Sequence, residues 1–313
     1  MESWKGYSNS SVFSYTSDNA LYLISEAMGN APSQLEVTKK SVTYYNIPAS
    51  FDIETTSFTS YSDDHGQEIK HACMYIWQFG LNGSVIYGRT WEEFFEFLGI
   101  LQEELSLSDR KRLLIYVHNL AYEFQFINRW IEWDRVFAVK QRRPVYALAG
   151  GFEFRCSLIL SNYALAYIGA NLLYKYPCEK LVGNLDYSKK RHALTPISSS
   201  ELEYCINDVK VVMCYIQQKI EEDGDITKIP LTNTGYVREY CRDWCFYSDK
   251  LLPEDREKNR TEYHALMKSL HINSPEEYYQ MERAFAGGFT HASSLHANKV
   301  LKNVGSADLT SSY

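Results

Sequence analysis

Two carboxylates, Asp52 and Glu54, stand two residues apart in the run ASFDIETTS, residues 49–57. The run reads as a strand, where positions i and i+2 face the same side. Phe51 and Ile53 then point into a core, and Asp52 and Glu54 lie side by side on the other face. Like charges so placed disfavour joint ionisation. A divalent cation between them would relieve this, and so would a solvated strand face. In HNLAYEF, residues 118–124, Asn119 and Glu123 are four apart at the start of a helix and share a face. Glu123 sits in an aromatic stretch where an unpaired carboxylate is costly. The plainer alternative makes Asn119 a helix cap and Glu123 a first-turn charge favoured by the helix dipole. Tyr204 and Asp208 repeat the four-residue spacing in ELEYCINDVKVV, on a helix whose valines mark it as packed. There the alternative is a Tyr–Asp pair on a solvated face.

Taken together, carboxylates on an early strand, on the helix after a later strand and on a late helix can converge at one end of a sheet. Such a cluster can hold two divalent ions roughly 3.5–4 Å apart for in-line attack on a phosphodiester. Oxygen ligands suit magnesium or manganese. A tyrosine one turn before the last aspartate can hydrogen-bond the attacking water.

The elements that must position these groups are legible as patterns. VTYYNIPASFDIETT reads as a first strand, and ACMYIWQFGLNGSVIYGRT as a hairpin turning at Asn82-Gly83. TWEEFFEFLGILQEEL has helical spacing with Thr90 as N-cap. RLLIYVHN is a short apolar strand and NLAYEFQFINRWIEW a helix. RVFAVKQRRPVYALAGGFEFRCSLIL alternates and turns at Gly150-Gly151, which predicts one more hairpin. SSSELEYCINDVKVVMCYIQQKIEEDG is the strongest helix pattern, capped by Ser199 or Ser200 and ended by Gly224. Residues 1–40 carry one weak helical patch, NALYLISEAMG, and are expected to form an N-terminal extension. The order of elements predicts an α/β domain over 41–225, with a mixed sheet flanked by helices. Beyond it, 226–313 changes texture to helical segments, a glycine pair and a closing strand.

FDIET, HNLAYEF and YCIND, in that order, resemble the three exonuclease motifs of family B DNA polymerases, most of all those of the protein-primed bacteriophage branch. RCSLILSNYAL is similar to that branch's Ser-Leu motif, EKLVGNLDYSKKRH to the segment carrying its exonuclease lysine, FAGGFT to its linker, and DLTSSY to the start of polymerase motif A. The resemblance covers about residues 49–313. It implies an RNase H-like (DnaQ-type) 3′→5′ exonuclease domain followed by a partial α+β polymerase segment. It makes Asp52, Glu54 and Asp208 metal ligands for two divalent cations, with Glu123 as the remaining acid and Tyr204 orienting water. Thr55, His118, Asn119, Tyr122, Ser157 and Leu158 would hold a single-stranded DNA 3′ end, with Gly287 and Gly288 in the linker. Lys180 is the choice for the catalytic lysine, with Lys189 and Lys190 as competitors. Asp308 would be the first ligand of an incomplete polymerase site.

Three positions depart from the family pattern. Glu123 replaces an aspartate, Phe285 replaces a tyrosine, and the sequence reaches Tyr313 within motif A with no motif B or C after it. These residues are therefore expected to hydrolyse DNA and not to polymerise it. The implied partners are a single-stranded DNA end, a terminal priming protein and the remainder of a polymerase. A stand-alone nuclease and a non-catalytic module that grips DNA or a replication protein are the rival classes.

Bulk properties fit this reading without selecting it. Of 313 residues, 45% are hydrophobic and 23% charged, enough for a real core. The net charge of −7 counts against a broad basic nucleic-acid surface but leaves room for a narrow cleft. Seven cysteines at irregular spacing, with no C-x-x-C pair, point to free thiols in a reducing cytoplasm. The opening residues show no secretory pattern, and no apolar run is long enough to span a bilayer.

Overall fold

In a computed structural model the structure describes residues 11–62, 67–173, 176–181, 189–247, 251–269, 272 and 274–284. The elements run β1 (Val12–Ser14), α1 (Ser17–Gly29), β2 (Glu36–Lys39), β3 (Val42–Tyr45), β4 (Ala49–Ser62), β5 (Gln67–Leu81) and β6 (Ser84–Gly88). Then come α2 (Trp91–Glu104), β7 (Lys111–Val117), α3 (Leu120–Ile127), β8 (Arg135–Lys140), β9 (Arg143–Ala149) and β10 (Phe152–Cys156). The helices α4 (Ser157–Ser161), α5 (Leu165–Ala170), α6 (Ser199–Asp223), α7 (Asn233–Tyr247), α8 (Pro253–Ser269) and α9 (Pro275–Ala284) follow.

Ten strands form one mixed sheet, in the order β1-β6-β5-β4-β7-β10-β9-β8, with the β2–β3 pair joined to β7. β5 is antiparallel to β4 and to β6, whereas β7 runs parallel to β4 and β10 parallel to β7. The central order β6-β5-β4-β7-β10 is thus third, second, first, fourth and fifth strand. With helices on both faces, this is the ribonuclease H-like arrangement. The long hairpin of β4 and β5 turns to β6 at Asn82-Gly83, both at positive φ (43° and 106°), as a tight right-twisted hairpin requires.

Strand alternation sorts the two faces. On one, Phe51, Ile53, Trp77, Phe79 and Ile115 bury themselves against Leu23 of α1, Phe94, Phe97 and Leu101 of α2, and Leu120 and Ile127 of α3. On the other, Leu114 and Tyr116 pack against Val211, Val212 and Ile216 of α6 and Ile168 of α5. Since Phe51 and Ile53 take the first face, Asp52 and Glu54 are turned toward α6. That helix begins with a reciprocal cap: Ser198 accepts from the Glu201 backbone N–H while Glu201 accepts from the Ser198 backbone N–H. Thr90 and Glu93 build the same device at α2.

Four elements differ from the sequence reading. The first strand is two, β3 and β4, because Pro48 lacks an N–H for the ladder and Asn46 spends its side chain on the Ile226 backbone N–H. The segment 135–156 makes two hairpins, since β8 and β9 turn at Gln141-Arg142, with Arg142 at φ 60°. No Gly or Asn marks that turn. The cap of α6 is Ser198, one residue before the expected serines. The segment before residue 41 joins the sheet: Val12–Ser14 pairs with β6, and α1 buries Leu23 and Ala27 completely.

The chain divides into two compact units, 1–238 and 239–313. In the second, Phe246 and Tyr263 meet edge to face with ring centroids 5.3 Å apart, and α8 buries no residue. No helix among the described residues is long and apolar enough to cross a membrane.

Candidate metal centre

Asp52 and Glu54 of β4 meet Asp208 of α6 with one oxygen of each carboxylate within 4.8 Å of the others. The strand supplies the first two through its alternation, and α6, packed by Val209, Val211 and Val212, delivers the third. Burial raises the Asp52 carboxyl well above its ordinary range, with Glu123, Glu54 and Asp208 adding repulsion. Burial and the Asp208 charge push Glu54 up to about 7. Asp208 is also raised by burial, against the pull of Lys180. Three crowded oxygen donors that resist ionisation are the donor set of a hard divalent cation, and they could hold one.

Lys180 donates to both oxygens of Asp208, each at 2.5 Å, and its ammonium lies 4.8 Å from the centre of the Tyr204 ring. Tyr204 stands one turn before Asp208 on α6. Lys189 and Lys190 remain exposed at the surface.

Glu123 is almost fully buried (3% exposed) and lies outside the triad's 4.8 Å group. Its Oε2 finds no hydrogen-bond partner. Burial, opposed by a backbone hydrogen bond and reinforced by Glu54, pushes its carboxyl up to about 8. Asn119 occupies the cap position of α3 in a left-handed conformation (φ 73°) and makes no side-chain cap bond. Tyr122, on the first turn of α3, shares a hydrogen bond with Thr55 beside the triad. His118 Nδ1 and Ser157 Oγ are 3.1 Å apart, and burial with the Lys180 charge lowers His118 to about 4 and keeps it neutral. Leu158, Asn119 and Tyr122 line a groove of about 520 Å³. Phe285, Gly287, Gly288 and Asp308 lie outside the described residues.

Three supporting residues escape the sequence reading. Asn207 accepts from the Leu181 backbone N–H (2.7 Å) and donates to the Glu179 carbonyl (3.0 Å), tying the Lys180 segment to α6. Its place beside Asp208 in YCIND was the available signal. Gly169 of α5 lets that segment approach: a Cβ there would lie 2.8 Å from the Lys180 backbone nitrogen. No sequence pattern announces it. Arg191 is buried, donates to Glu201 at 2.6 Å and draws the Glu54 carboxyl down. It lay in the SKKRH run, which offered three other basic side chains.

Fold and site define a ribonuclease H-like domain with an acidic group able to hold a metal ion. No protein-family model matches the chain, and no curated protein matches it. Among solved structures, phi29 DNA polymerase complexed with primer-template DNA and incoming nucleotide substrates aligns at TM-score 0.43 and 16% identity. That alignment covers 56% of this chain and 31% of the polymerase. Phi29 DNA polymerase complexed with single-stranded DNA aligns at 0.44 and 14% identity, over 62% and 34%. The catalytic core of RRP6 from Trypanosoma brucei aligns at 0.38 and 10% identity, over 70% and 50%. The chain thus spans about a third of each polymerase and half of the RRP6 core. Likeness at this level says nothing of the site, and the fold class stands on the strand order.

Proposed function

We propose that this chain is the 3′→5′ exonuclease region of a protein-primed, phage-type family B DNA polymerase. It hydrolyses single-stranded DNA from the 3′ end and releases nucleoside monophosphates. The observation that carries this reading is the meeting of Asp52, Glu54 and Asp208, with Lys180 on Asp208, at residues drawn from the first and third of three ordered motifs and from the lysine segment between the second and third. Residues 41–225 are assigned to the nuclease domain, and 226–313 to a linker and the start of a polymerase domain. A terminal priming protein and the rest of the polymerase are its partners.

Asp52, Glu54 and Asp208 would hold two divalent cations, magnesium or manganese, which supply charge stabilisation to the phosphodiester transition state. Lys180, held on Asp208, is assigned to the scissile phosphate. Tyr204, one turn before Asp208, is assigned to orienting the attacking water. Tyr122, hydrogen-bonded to Thr55, offers a ring on which the terminal base would stack; Asn119 and Leu158 line the groove beside it, and the hydrogen-bonded His118 and Ser157 are assigned to the same 3′ end. A mispaired terminus frays more readily, and only a frayed end enters a site built for one strand.

The test is cleavage of a 5′-labelled single strand. Shortening from the 3′ end in magnesium or manganese, abolished by EDTA, is expected. Binding without shortening in either metal would replace the enzyme with a non-catalytic DNA-binding module.

Gly169→Ala probes the positioning of Lys180. Alanine favours a helix over glycine, yet its methyl group pushes on the Lys180 backbone. Turnover should fall by as much as about a hundredfold, the order of loss for a reacting group displaced by about 1 Å. A variant that turns over like the parent would show that Lys180 needs no such fixed seat.

A further inference from the structure

A second groove, of about 680 Å³, adjoins the first at Tyr122 and is lined by β5, the start of α2, and α3 with the residues just after it. Lys70, His71, Trp91, Phe126, Arg129 and Trp130 line it, and it shares Tyr122 and Gln125 with the groove that holds Asn119 and Leu158. Trp130 is 59% exposed, although its backbone N–H is anchored on the Ile127 carbonyl and its ring leans on Phe95, 6.2 Å away. A tryptophan that leans on one neighbouring ring and leaves more than half its surface in solvent is an unspent stacking platform.

Charge selects the occupant. The chain carries −7 overall, yet no carboxylate lines either groove, while Lys70 and Arg129 line one and Arg142 and Arg143 the other. Among the described residues no acid forms an ion pair with any of these four. Cations without acids, interleaved with exposed rings, suit a phosphate backbone whose bases are free to stack, as in single-strand binders.

We propose that this second groove carries the single strand upstream of the cleaved end, with a base stacked on Trp130 and phosphates paired to Lys70 and Arg129. The strand passes Tyr122, which both grooves share, so that the terminal nucleotide and its upstream neighbours occupy adjoining grooves. The proposal deepens the nuclease reading and rests on it for the direction of the strand.

The test measures binding of fluorescein-labelled oligothymidylates of increasing length to the full chain in EDTA, where no cleavage proceeds. Affinity should rise with length until the second groove is filled. Trp130→Ala should weaken binding of the long oligonucleotide about tenfold, the order expected for one lost stack, and the shortest far less. Trp130→Phe should keep most of the affinity. Arg129→Ala should lower the slope of log affinity against log salt by about 0.7, and Arg129→Lys should restore it. Parental binding by both alanine variants, each melting like the parent, overturns the proposal, as does an equal loss on blunt duplex. Length-dependent binding through Trp130 without cleavage in magnesium leaves the groove standing and removes the nuclease reading. Cleavage with length-independent binding does the reverse.

Discussion

Asp52→Asn should reduce cleavage of single-stranded DNA by at least about a thousandfold in magnesium or manganese, while the metal-free protein melts at the same temperature or higher. The two effects share a cause. Asp52 is raised well above its ordinary range by burial and by three neighbouring acids, so its ionised form is a burden on the empty fold. An amide of the same shape removes that burden. It also removes an oxygen donor from a group whose three members lie within 4.8 Å, and with it several kcal/mol of transition-state charge stabilisation. Cleavage within tenfold of the parent would exclude the triad from the chemistry. A large drop in metal-free stability would instead make Asp52 a structural residue.

The metal-free protein should become less stable as pH rises from about 5 to 9. Glu54 and Glu123 titrate near 7 and 8 in the folded chain, against an ordinary value of 4.5. Below 4.5 both states hold these protons and the fold bears no cost. Between 4.5 and 8 the unfolded chain sheds them first, so stability falls until the folded pKa values are passed. The two groups together should account for a loss on the order of a few kcal/mol. Magnesium should recover much of it near pH 8 and little near pH 5, because protons and cations compete for the same oxygens. Glu123→Gln, an isostere of the protonated acid, should flatten the upper part of the profile. Melting curves in EDTA across this range decide the point, and a flat parental profile would refute it.

Much of this was legible in the chain because the signals were local. Alternation alone turned Asp52 and Glu54 away from Phe51 and Ile53, and Asn82-Gly83 and Thr90 carried their turn and cap in their own chemistry. What stayed hidden was tertiary. The role of Asn207 depends on backbone groups at 179 and 181, and that of Gly169 on the closeness of a non-adjacent segment. The turn at Gln141-Arg142 uses residues without a turn signature and places Arg142 at φ 60°. Glu123 is the instructive case. Its sequence context suggested either a ligand or a dipole charge, and neither reading foresaw that packing of α3 would bury it beside the triad with Oε2 unpartnered.

The triad is also a clock for synthesis. Asp52 and Glu54 emerge from the ribosome early, and their partner on α6 emerges on the order of ten seconds or more later, at usual elongation rates. β4 cannot acquire a complete cation site by local folding, since the closing oxygen belongs to a helix that is not yet made. On the proposed reading, a nascent chain therefore has no complete cation site until Asp208 has emerged, however much of the sheet has formed by then.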